Sequence, residues 1–284
     1  MRGRWWTRLG GAVALAVTLC FAAHFPWRDT WSVLAGADWT LLAAAGGLNL
    51  LSLAAKAWAW QLLLLPAAQV RWRTAQEAVF TGAAVGAVGV GVSGEAARLH
   101  LVGRRDGVSA AAALQSIVTS RVVEAAALGL FLVTAVLAVA APDTRRLVLL
   151  GAGLLAAGIA LLRWVPWLRP RVRLAGPIAL NVAGWALQWG TYHWSIAGAR
   201  IAVAPSLSVL VLVLANVGGI LRLTPGNLGI VPGAVILGLR PARVPVARAL
   251  AAGLALQAVQ VLPVLVIGLA LLGRHGMKTR TTPP

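Results

Sequence analysis

Long stretches of the chain are almost free of charge, and they fall at 9–25, 39–65, 108–140, 147–162, 174–198 and 249–272. About 20 helical residues cross the ~30 Å hydrocarbon layer of a bilayer, so runs of this length are read as membrane spans. Backbone polar groups at that depth meet no water and must pair within the protein, which leaves helices or closed barrels. None of the runs shows the two-residue alternation of a barrel strand. The expected fold is therefore all-α, a polytopic integral membrane protein. The composition fits that solvent: 60% of the residues are hydrophobic and 11% charged, against about 25% charged in an ordinary soluble domain. A single transmembrane domain over 1–284 is expected, with cytoplasmic tails at 1–8 and 273–284.

The net charge of +18 would suggest nucleic acid in a soluble protein. Here the basic residues gather between apolar runs, where they orient helices and attract anionic lipid, so no nucleic-acid partner is expected. Cys20 is the only cysteine, which excludes an intrachain disulfide and a cysteine-based metal cluster. The run 9–25, behind Arg2, Arg4 and Arg8, reads as a retained first span rather than a removed signal peptide. Trp27, Trp31, Trp39, Trp72, Trp164 and Trp167 flank apolar runs and read as interfacial belts.

Loop charges orient the map. A cytoplasmic N-terminus makes the loop with Arg71 and Arg73 cytoplasmic, and the loop with Arg98, Arg104 and Arg105 is basic again. The Gly-rich stretch 78–92 between them is short, and a re-entrant hairpin satisfies both its length and the charges. A second hairpin, from outside, is expected over 206–223 and 228–239. The total is about six full spans plus two re-entrant hairpins, or eight spans. Arg240, Arg243 and Arg248 then lie outside, against the positive-inside rule.

The chain also resembles itself. A glycine-marked break, a short segment, a basic turn and a long span occur over about 75–140 and again over about 206–272. At an offset of 136 residues, Arg121 and Glu124 fall on Gln257 and Gln260. With the two units entering from opposite sides, this predicts the inverted repeat of many transporters, whose substrate path runs where the broken segments meet.

Arg121 lies ~20 Å along its helix from Val108, inside the apolar slab. An unpaired charge there costs at least ~2.5 to 3.5 kcal/mol. Pairing with Glu124 could serve helix packing alone, but intramembrane charges are functional by default. Glu95 and Arg98 repeat the spacing and are either a solvated pair or the mouth of the hairpin. Pro225, Gly226, Asn227 and Gly229 break a helix and free backbone groups for a polar ligand, with Arg222 as an anchor or phosphate contact. Gly89, Gly91 and Gly94 fit the dinucleotide fingerprint only formally, because no strand–helix alternation surrounds them. His24, His100, His193 and His275 have no metal-ligand spacing. His193 and Ser195 face different ways, so no nucleophile–base pair is expected. Trp185, Gln188, Trp189 and Tyr192 share a face that reads as helix packing.

The Gly94-Glu95-x-x-Arg98 turn, the Gly103–Ser109 loop, Arg121 with an acid three on and the Pro225-Gly226-Asn227-Leu228-Gly229 break together resemble one family. It is the flippase-like membrane family built on the transmembrane region of lysylphosphatidylglycerol synthetases. The resemblance covers roughly 39–272. It implies a protein of the cytoplasmic membrane that moves a lipid or lipid-linked head group between leaflets; an accessory membrane protein of a lipid- or envelope-modifying system and a membrane-embedded enzyme of lipid metabolism are the alternatives. From the residues themselves no cofactor or metal is expected. Anionic membrane lipids, and a partner enzyme of lipid or envelope synthesis, are the implied partners. The aminoacyltransferase domain of bifunctional relatives is expected to be absent, so no catalytic residue is assigned. Asn227 departs from the usual Pro-Gly-Gly-Leu-Gly, and Pro232 and Gly233 stand where an acid often follows.

Overall fold

The computed structural model describes residues 27–65, 68–89, 92–139, 145–165, 174–219 and 229–278. The expected first span at 9–25 lies outside them, as do Arg222, Pro225, Gly226 and Asn227. The described residues are helical throughout, with no strand among them. In chain order the helices are α1 (Trp27–Ala35), α2 (Trp39–Leu64), α3 (Trp72–Val88), α4 (Ser93–Asp106), α5 (Ala110–Val139), α6 (Arg145–Trp164), α7 (Ala175–Gly198), α8 (Pro205–Gly219), α9 (Ile230–Leu239) and α10 (Val246–Lys278). Three segments are long and apolar enough to cross a membrane: Trp39–Leu64, Ala110–Val133 and Val246–Leu271. Helix α7 has 24 residues, enough for a crossing, but Asn181, Gln188 and His193 make it more polar.

Helix α2 packs along α7 and is tied to it at both depths. Asp38 caps α2 by accepting from the Leu41 amide at 3.1 Å, and its own amide donates to the Gly198 carbonyl. Deeper in, the Ser52 hydroxyl donates to the Gly184 carbonyl at 2.7 Å. Glycines let the helices approach, since a Cβ on Gly184 would meet the Lys56 stem at 3.2 Å and one on Gly198 would meet Leu42 at 2.9 Å. Small residues at such contacts replace the hydrophobic drive that lipid cannot supply.

The hairpin is larger than the sequence suggested. The segment read as a basic loop after 78–92 is the helix α4, which returns antiparallel to α3 with Arg98 buried in it. Glu95 in the first turn and Arg104 and Arg105 in the last complement the helix dipole. Gly107, at φ 66°, closes α4 in the left-handed conformation that glycine adopts without steric cost. The arms touch backbone to backbone: a Cβ on Gly82 would fall 2.7 Å from the Gly94 carbonyl oxygen. At the open end Asp106 accepts from the Arg71 amide at 3.1 Å and from its Nε at 3.0 Å, and Arg105 pairs with Glu77. Both ends of the hairpin therefore lie at one level of the molecule.

Arg71 is 70% exposed while Asp106 is 3% exposed, so the clamp belongs to the weak class of surface ion pairs. Asp106→Asn is expected to cost about 0.5–1 kcal/mol, and less at high salt. Thermal unfolding of the purified protein at two ionic strengths checks this.

The second half repeats the order. Helix α8 packs on α9, and α9 packs on the long α10. Gly229, at φ 87°, stands before α9. Contacts are again set by glycine: a Cβ on Gly238 would lie 2.5 Å from Val211 and one on Gly253 2.5 Å from Pro232. Arg240 and Arg243 close α9, and with Arg248 they are exposed at the end of the bundle where Arg200 meets Asp38.

Candidate functional site: a charged cavity at the hairpin tip

Helices α2, α3, α4, α5, α7 and α10 line an open cavity of about 360 Å³ around the tip of the first hairpin. Its charged wall starts with Arg121. The guanidinium donates through Nη1 to Glu124 Oε2 at 2.9 Å and through Nη2 to Glu95 Oε1 at 2.7 Å. The second contact joins two residues 26 positions apart, across α4 and α5. Arg121 is 45% exposed and the two carboxylates are 14–16% exposed, and all three line the cavity. Glu124 also accepts from the Ser120 hydroxyl at 3.1 Å, and its backbone carbonyl accepts from Trp185 Nε1 at 2.9 Å.

Lys56 supplies a second cation. It stands eight residues before the end of α2, ~12 Å from that end, with its Nζ 2.7 Å from Gln188 Oε1 and 3.8 Å above the Trp185 ring. Arg98, the third, is buried against the Trp60 ring at 4.2 Å. Trp60 is held by its Nε1 donating to the Ser116 hydroxyl at 3.0 Å. Gly82 leaves space for the Arg98 stem, since a Cβ there would approach Arg98 Cγ to 2.6 Å. Three cations against two carboxylates leave the wall with one net positive charge.

Of the residues singled out in the sequence, Glu95, Arg98, Arg121, Glu124 and Gln260 line this one cavity. Gln257 does not: it is buried on α10 away from the lining, because α10 packs against neighbours on more than one face. Gly229 serves as the cap before α9 and is also outside the lining. Gln188, read as helix packing, instead faces the cavity as the acceptor for Lys56. Lys56, Asn49 and Ser52 were missed, although Lys56 is the single charge within an otherwise apolar 26-residue helix and met the same rule that marked Arg121.

His193 finds a serine, but not the one beside it. Its Nδ1 lies 3.2 Å from the Ser208 oxygen. That hydroxyl donates its one proton to the Pro205 carbonyl at 2.7 Å and accepts from Trp189 Nε1 at 2.9 Å. With the proton already given to a carbonyl, histidine is left to act as a donor, and the group ties α7 to α8. Ser208→Ala is expected to cost about 1–3 kcal/mol by leaving buried partners unmet and to leave any function of the cavity unchanged. Unfolding and transport measured on the same preparation test both halves. Among the described residues, no three His, Cys, Asp or Glu side chains are grouped to hold a metal.

A chain of helices long and apolar enough to cross a membrane, with a broken hairpin whose tip borders a charged cavity, belongs to the class of helical integral membrane proteins. Its sequence matches the family described as "Lysylphosphatidylglycerol synthase TM region" over residues 8–175. The chain belongs to this family, whose matched part contains the first hairpin, α5 and every cation of the cavity. A comparison with curated proteins gives no match.

Proposed function

We propose that the protein is a lipid transporter that moves a phospholipid or lipid-linked head group between the leaflets of the cytoplasmic membrane. The observation carrying this reading is the convergence of Lys56, Arg98, Arg121, Glu95 and Glu124 on one cavity formed by membrane-length helices. Charges at that depth are costly and are kept where they line a polar path. A wall of net positive charge suits an anionic lipid. The acyl chains would stay in the bilayer while the head group passes through the cavity.

The two halves, about 75–140 and 206–272, act in this reading as an inverted repeat that exposes the cavity alternately to either side. Both termini are cytoplasmic in this reading, with Arg71, Arg73, Arg104 and Arg105 at the cytoplasmic end, while Arg200, Arg240, Arg243 and Arg248 at the opposite end stand against the positive-inside rule. The chain performs no chemistry on its substrate and uses no cofactor. A second reading draws on the pairing of Arg121 with two carboxylates, which is also what a purely structural charge cluster needs. In that case the protein positions a partner enzyme of lipid or envelope synthesis.

A leaflet-resolved assay decides between them, with purified protein in liposomes holding fluorescent anionic, zwitterionic and lysyl-modified lipids. Protein-dependent movement of anionic lipid is expected. No movement of any class by folded protein would overturn the transport reading in favour of the accessory one.

A further inference from the structure

The cavity is polar in two different ways along its length. On α2, Asn49, Ser52 and Lys56 follow one another at three- and four-residue steps, which places them on one helix face. Seven residues separate Asn49 from Lys56, so the stripe is ~10 Å long. At its Lys56 end stand the Arg121 guanidinium and Gln188. At its Asn49 end stands Gln260, with Asn49 Nδ2 donating to the Gln260 backbone carbonyl at 3.2 Å and the Gln260 side chain hydrogen-bonded to Tyr192. One end is thus cationic and the other is made of uncharged amides.

The donors at the cationic end are only partly used. An ammonium has three N–H groups and a guanidinium five. Lys56 gives one to Gln188, and Arg121 gives one to each of two carboxylates. The carboxylates are committed as well: Glu95 and Glu124 both face Arg121, and Glu124 also takes the Ser120 hydroxyl. An ammonium on a ligand would have to displace Arg121 to reach them, next to two further cations. A phosphate meets no such competition and can share the Lys56 and Arg121 donors.

We propose that the head group recognised here is a hydroxyl-rich phosphate, a polyol or sugar phosphate ester without an amine. Its phosphate lies between Lys56 and Arg121, and its hydroxyls reach toward Asn49 and Gln260. Side-chain amides offer both donor and acceptor, which matches hydroxyls; a bare phosphate held between Lys56 and Arg121 has none to reach that end, and a methylated amine has no donor or acceptor to offer. The ~10 Å stripe spans the distance from a phosphodiester across one or two sugar rings. This assignment rests on the cavity being the substrate site of the transport reading.

The test is a binding measurement on the full chain in detergent, using short-chain phosphatidylinositol, phosphatidic acid and lysyl-phosphatidylglycerol as probes. Phosphatidylinositol is expected to bind about tenfold more tightly than phosphatidic acid, the gain of a net hydroxyl–amide hydrogen bond or two, and lysyl-phosphatidylglycerol to bind weakest. In Asn49→Ala/Gln260→Ala the first difference is expected to vanish while phosphatidic acid binding changes less than twofold. Equal binding of phosphatidylinositol and phosphatidic acid by the unaltered protein, which needs no variant to fold, would overturn the proposal. So would tightest binding of the lysyl-modified lipid. Binding requires no movement between leaflets, so the expected preference without any transport overturns the transport reading alone. Transport of lysyl-modified lipid in preference to the others overturns this assignment alone.

Discussion

Arg121→Gln is expected to abolish the proposed protein-dependent lipid movement in liposomes, in a protein that still folds. The guanidinium bridges Glu95 and Glu124, and it is more exposed than either carboxylate. Without it the wall changes from one net positive charge to none, and two carboxylates face a ligand phosphate. Removing one partner of a buried ion pair costs about 3–5 kcal/mol. The cost here is expected near ~3 kcal/mol, because Arg121 is itself partly exposed. Stability and transport can be separated by adding Glu124→Gln to the same protein. That change removes one stranded carboxylate, so it is expected to raise the thermal midpoint while transport stays absent. Unchanged lipid movement in the Arg121→Gln protein would sink the transport role of the cavity.

The second large effect is structural. Gly94→Val is expected to destabilise the protein by about 3 kcal/mol or more, the upper range for overpacking. A Cβ at this position overlaps the Gly82 carbonyl oxygen and lies 3.4 Å from Gly86 Cα. Those are backbone atoms of α3 and cannot rotate away. The arms of the hairpin must separate, which carries Glu95 away from Arg121 and opens the floor under Arg98. Gly153→Ala is the matched control: it lies inside α6 with nothing within 4 Å of its Cβ. It should raise stability by about 0.5–1 kcal/mol through helix propensity alone. Thermal unfolding of both proteins in one detergent provides the comparison, and a Gly94→Val protein as stable as the parent would show that the arms are not held by this contact.

The hairpin also shows how far single residues could be read in advance. The glycines of 78–92 and the acid–base spacing from Glu95 onward marked a broken element there. The return arm was mistaken for a loop because Arg98, Arg104 and Arg105 suggested solvent. Two of those arginines are at the helix end, where they suit its dipole. The third is stacked on Trp60, 38 residues upstream, and nothing local to Arg98 announces that partner. Lys56 was passed over for a similar reason, since a lone lysine in an apolar helix has no neighbour at helical spacing to pair with. Its partners, Gln188 and Trp185, are on α7, more than a hundred residues away. The offset that matched Arg121 and Glu124 with Gln257 and Gln260 was informative for only one of the glutamines, because residues three apart on a helix differ by about 60° in direction.

Chain length between charges and the absence of water around the backbone are local matters, and they suffice to dictate an all-helical membrane protein with glycine-marked breaks and an Arg121–Glu124 pair within an apolar helix. Partnership across helices is not local. Which cations share a cavity depends on which helix faces meet, and that is settled by the glycine contacts between α3 and α4 and between α2 and α7. Only when those contacts form do Glu95, Arg121, Lys56 and Gln188 stand within reach of one ligand.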